Sequence, residues 1–225
     1  MIKAVIFDFD GVLANSEPLH FRAFRDVLEG LGLALTEAAY YSRYLGYDDV
    51  GAFTTMANDA GVVLSPRQVS ELVAQKAVRL EALESGMSVL FPGAREAVLR
   101  MALRGPIAIA SGALRSEISR VLEREGLRTP FSVLVAAGDT SASKPDPAPY
   151  RHAVQLLQAI HGGALHPSEC VAVEDSHWGL VSARGAGLRT IAVTHSYRAD
   201  ALGEADAIID HLDALTEEQL IALTH

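Results

Sequence analysis

The 225-residue sequence has a single cysteine, Cys170, which stands in the apolar run 170–173. One cysteine excludes an intrachain disulfide and therefore a secreted, disulfide-stapled framework. The sequence also has no stretch of about 18 uninterrupted apolar residues, which a membrane-spanning helix would need. The apolar stretch at the N-terminus meets Asp8 too early for a signal peptide. We therefore expect a cytoplasmic protein with no membrane partner.

Positive charge is also scarce. Lys and Arg number 19 against 28 Asp and Glu, which gives a formal net charge of -9. Binding of bare nucleic acid depends on clustered basic side chains that displace counterions, so we expect no nucleic-acid partner. An anionic ligand would have to be captured locally, by a metal ion and a few placed cations.

Hydrophobic residues make up 49% of the sequence, enough for a substantial core. Short β-branched runs alternate with longer stretches of helical periodicity, a pattern typical of an α/β fold in which helices cover a parallel sheet. The predicted strands are residues 4–7, 107–110, 133–136, 171–174, 190–193 and, more weakly, 207–209.

The first two predicted strands are separated by roughly ninety residues with little strand character, far more than one crossover helix requires. Two series of residues in this stretch fall on a helical spacing: Leu19, Ala23, Val27 and Leu31, then Val69, Leu72, Val73, Lys76 and Leu80. We therefore predict an inserted helical domain over residues 15–88, with residues 1–14 and 89–225 forming the sheet-containing core. A core helix is predicted over 94–103.

Polar residues directly follow several predicted strands: Asp8 the first, Ser111 the second and Asp175 the fourth. In open α/β sheets the ligand crevice lies outside the carboxyl ends of the strands, so we expect these residues to converge. Asp8 and Asp10 flank Phe9 and would point the same way in an extended segment. One carboxylate suits nucleophilic attack on phosphorus and the other proton transfer. The alternative is a strand-ending turn capped by acids.

Two further strand ends suit a metal ion and a phosphate. Asp175, with Glu174 beside it, offers hard oxygen ligands of the kind that Mg²⁺ prefers. Ser111 and Gly112 precede a helix predicted to begin near Leu114, where a hydroxyl and backbone N–H groups would bind phosphate. At both places a helix N-cap is the alternative interpretation.

Lys144 stands before Pro145 in the small-residue loop 138–147. Proline fixes the backbone directly after the lysine. The ammonium group so placed would neutralise phosphoryl oxygens and the clustered acids. A solvated loop lysine is the alternative.

Four segments occur in order along the chain: Asp-Phe-Asp-Gly-Val-Leu from residue 8, Ala-Ser-Gly from 110, Lys-Pro from 144 and Val-Glu-Asp-Ser from 173. Together they resemble the haloacid dehalogenase superfamily of phosphotransferases. The resemblance is to the subgroup with a helical cap inserted after the first motif, which includes β-phosphoglucomutase and phosphoglycolate phosphatase. It spans essentially the whole chain and implies a Rossmann-like three-layer core with a cap domain.

The resemblance implies a catalytic role for five residues. Asp8 would be the nucleophile that forms an aspartyl phosphate, and Asp10 the general acid and base. Ser111, Gly112 and Lys144 would hold the transferring phosphoryl group. The dehalogenases of the superfamily lack an acid at the position of Asp10, so this chain is similar to the phosphoryl-transfer members.

The resemblance also implies a Mg²⁺ site. Its ligands would be Asp8, the backbone carbonyl of Asp10, and Asp175, with Glu174 as a further ligand or as a supporting acid. The ion would shield the charge of the phosphate from that of Asp8, because attack of one anion on another is otherwise disfavoured.

Three cap residues are expected to contact the substrate: His20, Arg43 and Lys76. His20 lies in a stretch that resembles the mutase, although a helix-surface histidine is the alternative. After Gly46 the mutase carries an arginine for the distal phosphate, whereas this chain has the segment 47–49, Tyr-Asp-Asp. A mutase must hold a bisphosphate at both ends, and acids would repel its second phosphate.

We therefore predict a phosphatase that hydrolyses a small phosphate monoester, either a sugar phosphate or a small organic phosphate. A sugar phosphomutase is the alternative, and a non-catalytic phosphate-binding protein is less favoured. Tyr40, Tyr41, Tyr44 and Tyr47 would either line a cap pocket or serve ordinary packing. A monomer is expected for a cap that opens and closes.

Overall fold

Six parallel strands form one sheet in the computed structural model, which describes residues 1–45, 47–86, 88–161, 163 and 165–223. They are β1 (Ala4–Phe7), β2 (Ile107–Ala110), β3 (Phe131–Val135), β4 (Cys170–Glu174), β5 (Arg189–Val193) and β6 (Ala207–Ile209). Their order across the sheet is β3-β2-β1-β4-β5-β6. Every predicted strand is present, with ends that differ from the prediction by at most two residues.

The chain divides into two compact units, Met1–Asn15 with Leu90–His225, and Ser16–Val89. We call the first the sheet unit and the second the helical unit. The helical unit contains α1 (Glu17–Glu29), α2 (Glu37–Ala39), a π-helix (Tyr40–Tyr44), α3 (Asp49–Asp59) and α4 (Pro66–Glu84).

The helical unit has a hydrophobic core of its own. Helices α1 and α4 pack against each other, and Phe24 lies 4.9 Å from Phe53 between ring centroids. The prediction that Leu31 continues the apolar face of the first helix is wrong. Helix α1 ends at Glu29, and Leu31 is exposed in the turn that Gly32 completes at a φ of 72°.

A capping box defines the start of α4. The Ser65 hydroxyl accepts a hydrogen bond from the Gln68 N–H at 3.3 Å, and the Gln68 side chain accepts one from the Ser65 N–H at 2.9 Å. Pro66 occupies the first helical position, where its missing N–H costs nothing. The start of this helix therefore follows from local sequence alone.

Helices cover the sheet in the sheet unit. They are α5 (Ala94–Arg104), α6 (Arg115–Arg124), α7 (Ala148–Ile160), α8 (His177–Gly185) and the short α9 (Glu217–Ala222). Every residue of β1, β2 and β4 is buried, so both faces of the central strands are covered. Continuous burial of parallel strands is typical of α/β proteins, and the predicted Rossmann-like α/β fold is confirmed. No described helix combines the length and apolarity needed to cross a membrane.

The strand order reverses between β1 and β4, which lie side by side in the sheet. The chain runs from β1 to β2 and β3 on one side, then returns to place β4, β5 and β6 on the other. Such a switch opens a crevice beyond the carboxyl ends of the two strands. Phe7 is in register with Val173, and the Asp8 N–H donates to the Val173 carbonyl at 3.0 Å. The residues that follow β1 therefore lie beside the end of β4.

Candidate active site

Three buried carboxylates meet at the ends of β1 and β4. Asp8, Glu174 and Asp175 each offer an oxygen, and the three oxygens lie within 4.8 Å of one another. The strand register brings them together, since Asp8 follows the residue paired with Val173. Asp10 is partly exposed on the segment after Asp8, and its backbone forms an isolated parallel β-bridge with Ala14.

Lys144 joins this cluster from its loop. Its Nζ lies 2.9 Å from Asp8 Oδ1 and 2.6 Å from Glu174 Oε1. Burial lowers the pKa of Lys144, but the two carboxylates outweigh that effect and the net pKa lies above its usual value. The ammonium group is therefore charged at neutral pH and is not the solvated loop lysine that the sequence left open.

Tyr150 on α7 is a member of the site that sequence reasoning missed. It is fully buried, and its hydroxyl donates to Glu174 Oε1 at 2.6 Å. Its ring lies 5.1 Å from the Lys144 Nζ. No local signal distinguishes it from a core tyrosine, because its spacing on α7 is that of an apolar face residue.

Glu174 accepts hydrogen bonds at both carboxylate oxygens. Lys144 and Tyr150 donate to Oε1, while the Asp175 N–H and the Ser176 hydroxyl donate to Oε2 at 3.2 and 3.3 Å. Four donors match the acceptor capacity of one carboxylate. Burial, together with the nearby Asp8 charge, raises the pKa of Glu174 despite these donors.

Asp175 is also buried, but it is not the N-cap of α8. That cap is Ser176, whose hydroxyl accepts from the Gly179 N–H at 3.2 Å. The Asp175 carboxylate instead lies near the Ser196 hydroxyl, across the position that a side chain at residue 11 would occupy. Burial raises the pKa of Asp175, and the neighbouring Glu174 charge raises it further.

Ser111 directly follows β2, as predicted, but it does not cap the helix that comes next. Its hydroxyl accepts from the Ala113 N–H at 3.1 Å, and α6 begins only at Arg115. Ser111 is buried, whereas Gly112 is exposed with no atom within 4 Å of where a side chain would begin. The segment therefore leaves backbone open to an approaching group.

The donor set fits a divalent cation. Three carboxylates share one ammonium group, so ionisation of all three leaves the cluster with an excess of negative charge. Burial and the neighbouring carboxylates raise the pKa of both Glu174 and Asp175, as expected where buried acids lie close together. Carboxylate oxygens are the ligands that Mg²⁺ prefers.

The helical unit holds the other predicted site residues. Lys76 is fully buried, and its Nζ lies 2.8 Å from His20 Nδ1 and 2.8 and 2.9 Å from the Asp49 oxygens. Asp48 caps α3 by accepting from the Gly51 N–H at 2.7 Å. The expectation that these acids repel a second phosphate is weakened, because Asp49 is paired with a cation.

Arg43 is paired as well, with Asp59 at 2.6 Å. Tyr44 donates to the same Asp59 carboxylate at 2.7 Å. The four tyrosines do not share one environment, since Tyr40 and Tyr44 are buried in the core of the helical unit while Tyr41 and Tyr47 are exposed. Ordinary packing therefore accounts for two of them.

Comparison with known proteins places the chain in a family. A model described as haloacid dehalogenase-like hydrolase matches residues 2–187. Protein CbbY of Rhodobacter capsulatus is 32% identical over 228 residues, which cover 97% of each chain. The phosphorylated carbohydrates phosphatase of Thermotoga maritima is 31% identical over 212 residues, covering 92% of this chain and 93% of that protein.

One similar solved structure contains a sugar bisphosphate. It is a mutant of CbbY from Rhodobacter sphaeroides in complex with xylulose-(1,5)bisphosphate. The match has a TM-score of 0.83 and 27% identity, and it covers 95% of this chain and 96% of that chain. The chain belongs to the haloacid dehalogenase-like hydrolase family, so the resemblance and the prediction of an enzyme are confirmed.

Proposed function

We propose that this chain is a phosphatase that hydrolyses a small phosphate monoester, with a phosphorylated carbohydrate as the favoured substrate class. The observation that carries the proposal is the contact of Lys144 with both Asp8 and Glu174 inside a buried carboxylate cluster. A charged ammonium group beside a carboxylate suits a site that accepts a phosphoryl dianion. The name of the Thermotoga relative and the sugar bisphosphate bound to a CbbY mutant support the carbohydrate class.

Hydrolysis would proceed in two displacements. In the first, an Asp8 oxygen attacks phosphorus, the bond from phosphorus to the ester oxygen breaks, and Asp10 gives its proton to the leaving alcohol. In the second, Asp10 takes a proton from water, whose oxygen attacks phosphorus and releases phosphate from Asp8. Lys144, Ser111 and the backbone at Gly112 would hold the phosphoryl oxygens in both steps.

Mg²⁺ fits the carboxylate cluster, and when bound it would supply charge neutralisation between the phosphate and Asp8. Asp8, Asp175 and the carbonyl of Asp10 would hold it. Glu174 remains a candidate ligand, but its four hydrogen-bond donors favour a role in holding Lys144 against Asp8. His20, Arg43 and Lys76 remain predictions as substrate contacts, as do the monomeric state and the cytoplasmic location.

Phosphate release from a panel of phosphate esters with Mg²⁺ tests the proposal. We expect turnover of sugar phosphates that stops when a chelator removes the metal. Asp8→Asn should lower turnover by about a thousandfold or more while the fold is kept, because only the nucleophile is lost. Asp200→Asn, on an exposed carboxylate, serves as the control and should behave as wild type.

Three results would count against this mechanism. Full turnover by Asp8→Asn would exclude the aspartyl phosphate. Undiminished turnover with chelator would exclude the metal. Interconversion of β-glucose 1-phosphate and glucose 6-phosphate without net phosphate release would instead indicate the mutase.

A further inference from the structure

The segment after Asp10 has an unusual conformational requirement. Gly11 adopts a φ of 76°, in the left-handed region that favours glycine. A side chain at this position would begin 1.9 Å from Asp175 Oδ2 and 2.9 Å from the Ser196 hydroxyl. Gly11, Asp175 and Ser196 therefore pack so closely that a side chain at residue 11 has no room.

His195 holds the same segment from the side of β5. Its Nδ1 lies 3.0 Å from the Gly11 carbonyl oxygen, which can only accept, so Nδ1 carries the proton. The ring stacks on Phe91 with centroids 3.9 Å apart and an interplanar angle of 19°. The Phe91 N–H in turn donates to the Leu13 carbonyl at 2.9 Å. The imidazole thus contacts the Gly11 carbonyl directly and, through Phe91, the backbone at Leu13, and both of these residues follow Asp10.

Ser196 acts on the other strand end. Its hydroxyl oxygen and Asp175 Oδ2 lie 2.9 and 1.9 Å from the position that a Gly11 Cβ would occupy, so the hydroxyl is a close neighbour of the carboxylate, although Ser196 itself lies on an exposed loop. Partners of this kind orient a ligating carboxylate and are often as important to metal affinity as the ligands. One dipeptide therefore touches both sides of the acid cluster.

We propose that His195 and Ser196, directly after β5, are positioning residues for the acid site, with His195 holding the Gly11 carbonyl and Ser196 holding the Asp175 carboxylate. The proposal rests on the proposed function, in which this cluster binds Mg²⁺. Neither residue is assigned a contact with substrate. Both lie at a third strand end, where His195 is hydrogen-bonded to the backbone after Asp10 and Ser196 lies beside the Asp175 carboxylate.

Binding of Mg²⁺ alone, without substrate, tests the proposal. The readout is the Mg²⁺ concentration at the midpoint of the rise in melting temperature that the ion causes in the full chain. Ser196→Ala and His195→Leu should each raise this midpoint by about tenfold, the usual cost of losing such a partner. Ser196→Thr keeps the hydroxyl and His195→Asn keeps an N–H donor, so both should return most of the affinity. Asp200→Asn, on the same loop, should match wild type.

Both disruptive substitutions must shift the midpoint, and both conservative ones must restore it. The proposal is overturned if either disruptive variant binds Mg²⁺ as wild type does, or if either conservative variant fails to recover binding. It is also overturned if the variants melt lower without Mg²⁺ and keep the wild-type midpoint, or if wild type shows no Mg²⁺-dependent rise. The readout needs no turnover, so a wild type that binds Mg²⁺ but releases no phosphate would reject the proposed function alone.

Discussion

Gly179 gives the buried Glu174 carboxylate its space. It lies in the first turn of α8, where a Cβ atom would sit 1.9 Å from the Glu174 Cδ and 2.0 Å from both carboxylate oxygens. Glu174 is itself fully buried and accepts hydrogen bonds from Lys144 and Tyr150. The position of the charged lysine therefore depends on the absence of one side chain on a neighbouring helix.

Gly179→Ala tests this dependence, because helix propensity and steric overlap change the free energy of unfolding in opposite directions. Alanine stabilises a helix interior by about 1 kcal/mol relative to glycine. The steric overlap with Glu174 should outweigh this gain and lower the free energy of unfolding by about 2 kcal/mol. Chemical denaturation measures the difference, and activity should fall with it because Glu174 holds Lys144.

Gly185→Ala, at the other end of α8, is the matched control. The nearest atom to an added Cβ would be the Pro147 Cβ at 3.3 Å. A small shift of the proline relieves this close contact. We expect Gly185→Ala to lower the free energy of unfolding by much less than Gly179→Ala does, or not at all. Equal or greater stability of Gly179→Ala relative to wild type would mean that Glu174 is not confined as described.

At the scale of elements, helix α4 carries both a buried ion pair and exposed ones. Lys76 lies inside the helical unit and pairs with Asp49 at the start of α3. Arg67 pairs with Glu71 one turn along the surface of α4 at 2.9 Å. The two pairs share a helix but differ in solvation, so they should differ in their effect on stability.

Asp49→Asn should destabilise the protein by about 2 kcal/mol, because it removes the carboxylate that lies 2.8 Å from the fully buried Lys76 ammonium group. This value is below the usual cost of breaking a buried pair, since the Asp49 side chain keeps 20% of its exposure. Glu71→Gln should cost only about 0.3 kcal/mol, as is usual for exposed helical pairs. Urea denaturation of both variants gives the comparison, and similar losses from the two would contradict the argument.

At the scale of the whole molecule, the only thiol reports on the opening of the sheet. Cys170 is fully buried in β4, an interior strand, and burial raises its pKa to about 12. The thiolate is the reactive form, so reaction requires both exposure and ionisation. Exposure and ionisation of this thiol therefore require an opening that separates β4 from its neighbours in the sheet.

We therefore expect the native protein to resist a thiol reagent such as 5,5′-dithiobis(2-nitrobenzoate) at mildly alkaline pH, where an ordinary cysteine of pKa about 8.5 reacts. In denaturing urea, one thiol per chain should react at once. The absorbance of the released thiolate follows both reactions. Rapid labelling of the native protein would show that β4 opens locally.

Local sequence determined much of the architecture. Each strand of the sheet was predicted from a short β-branched run, and the start of α5 at Ala94 from the Pro92-Gly93 dipeptide, because such runs and turn residues act over only a few positions. The family was equally accessible, since its motifs are contiguous and occur in a fixed order. The helical series was wrong at Leu31, which lies past the end of α1, and the N-cap of α8, left open at Asp175, is Ser176.

The tertiary structure alone decided how the site is assembled. A tyrosine on α7 and a histidine after β5 have no local feature that distinguishes them from core or solvated residues. Lys144 was singled out by its Lys-Pro motif, which does not reveal its contacts. Parallel strands joined by long crossovers bring Lys144 and Tyr150 to Glu174, and His195 to Gly11, across large separations in sequence. Burial then makes those contacts strong, because charges removed from water interact in a medium of low dielectric constant. The sequence by itself determined which acids end the strands, and only the fold decided which donors hold them.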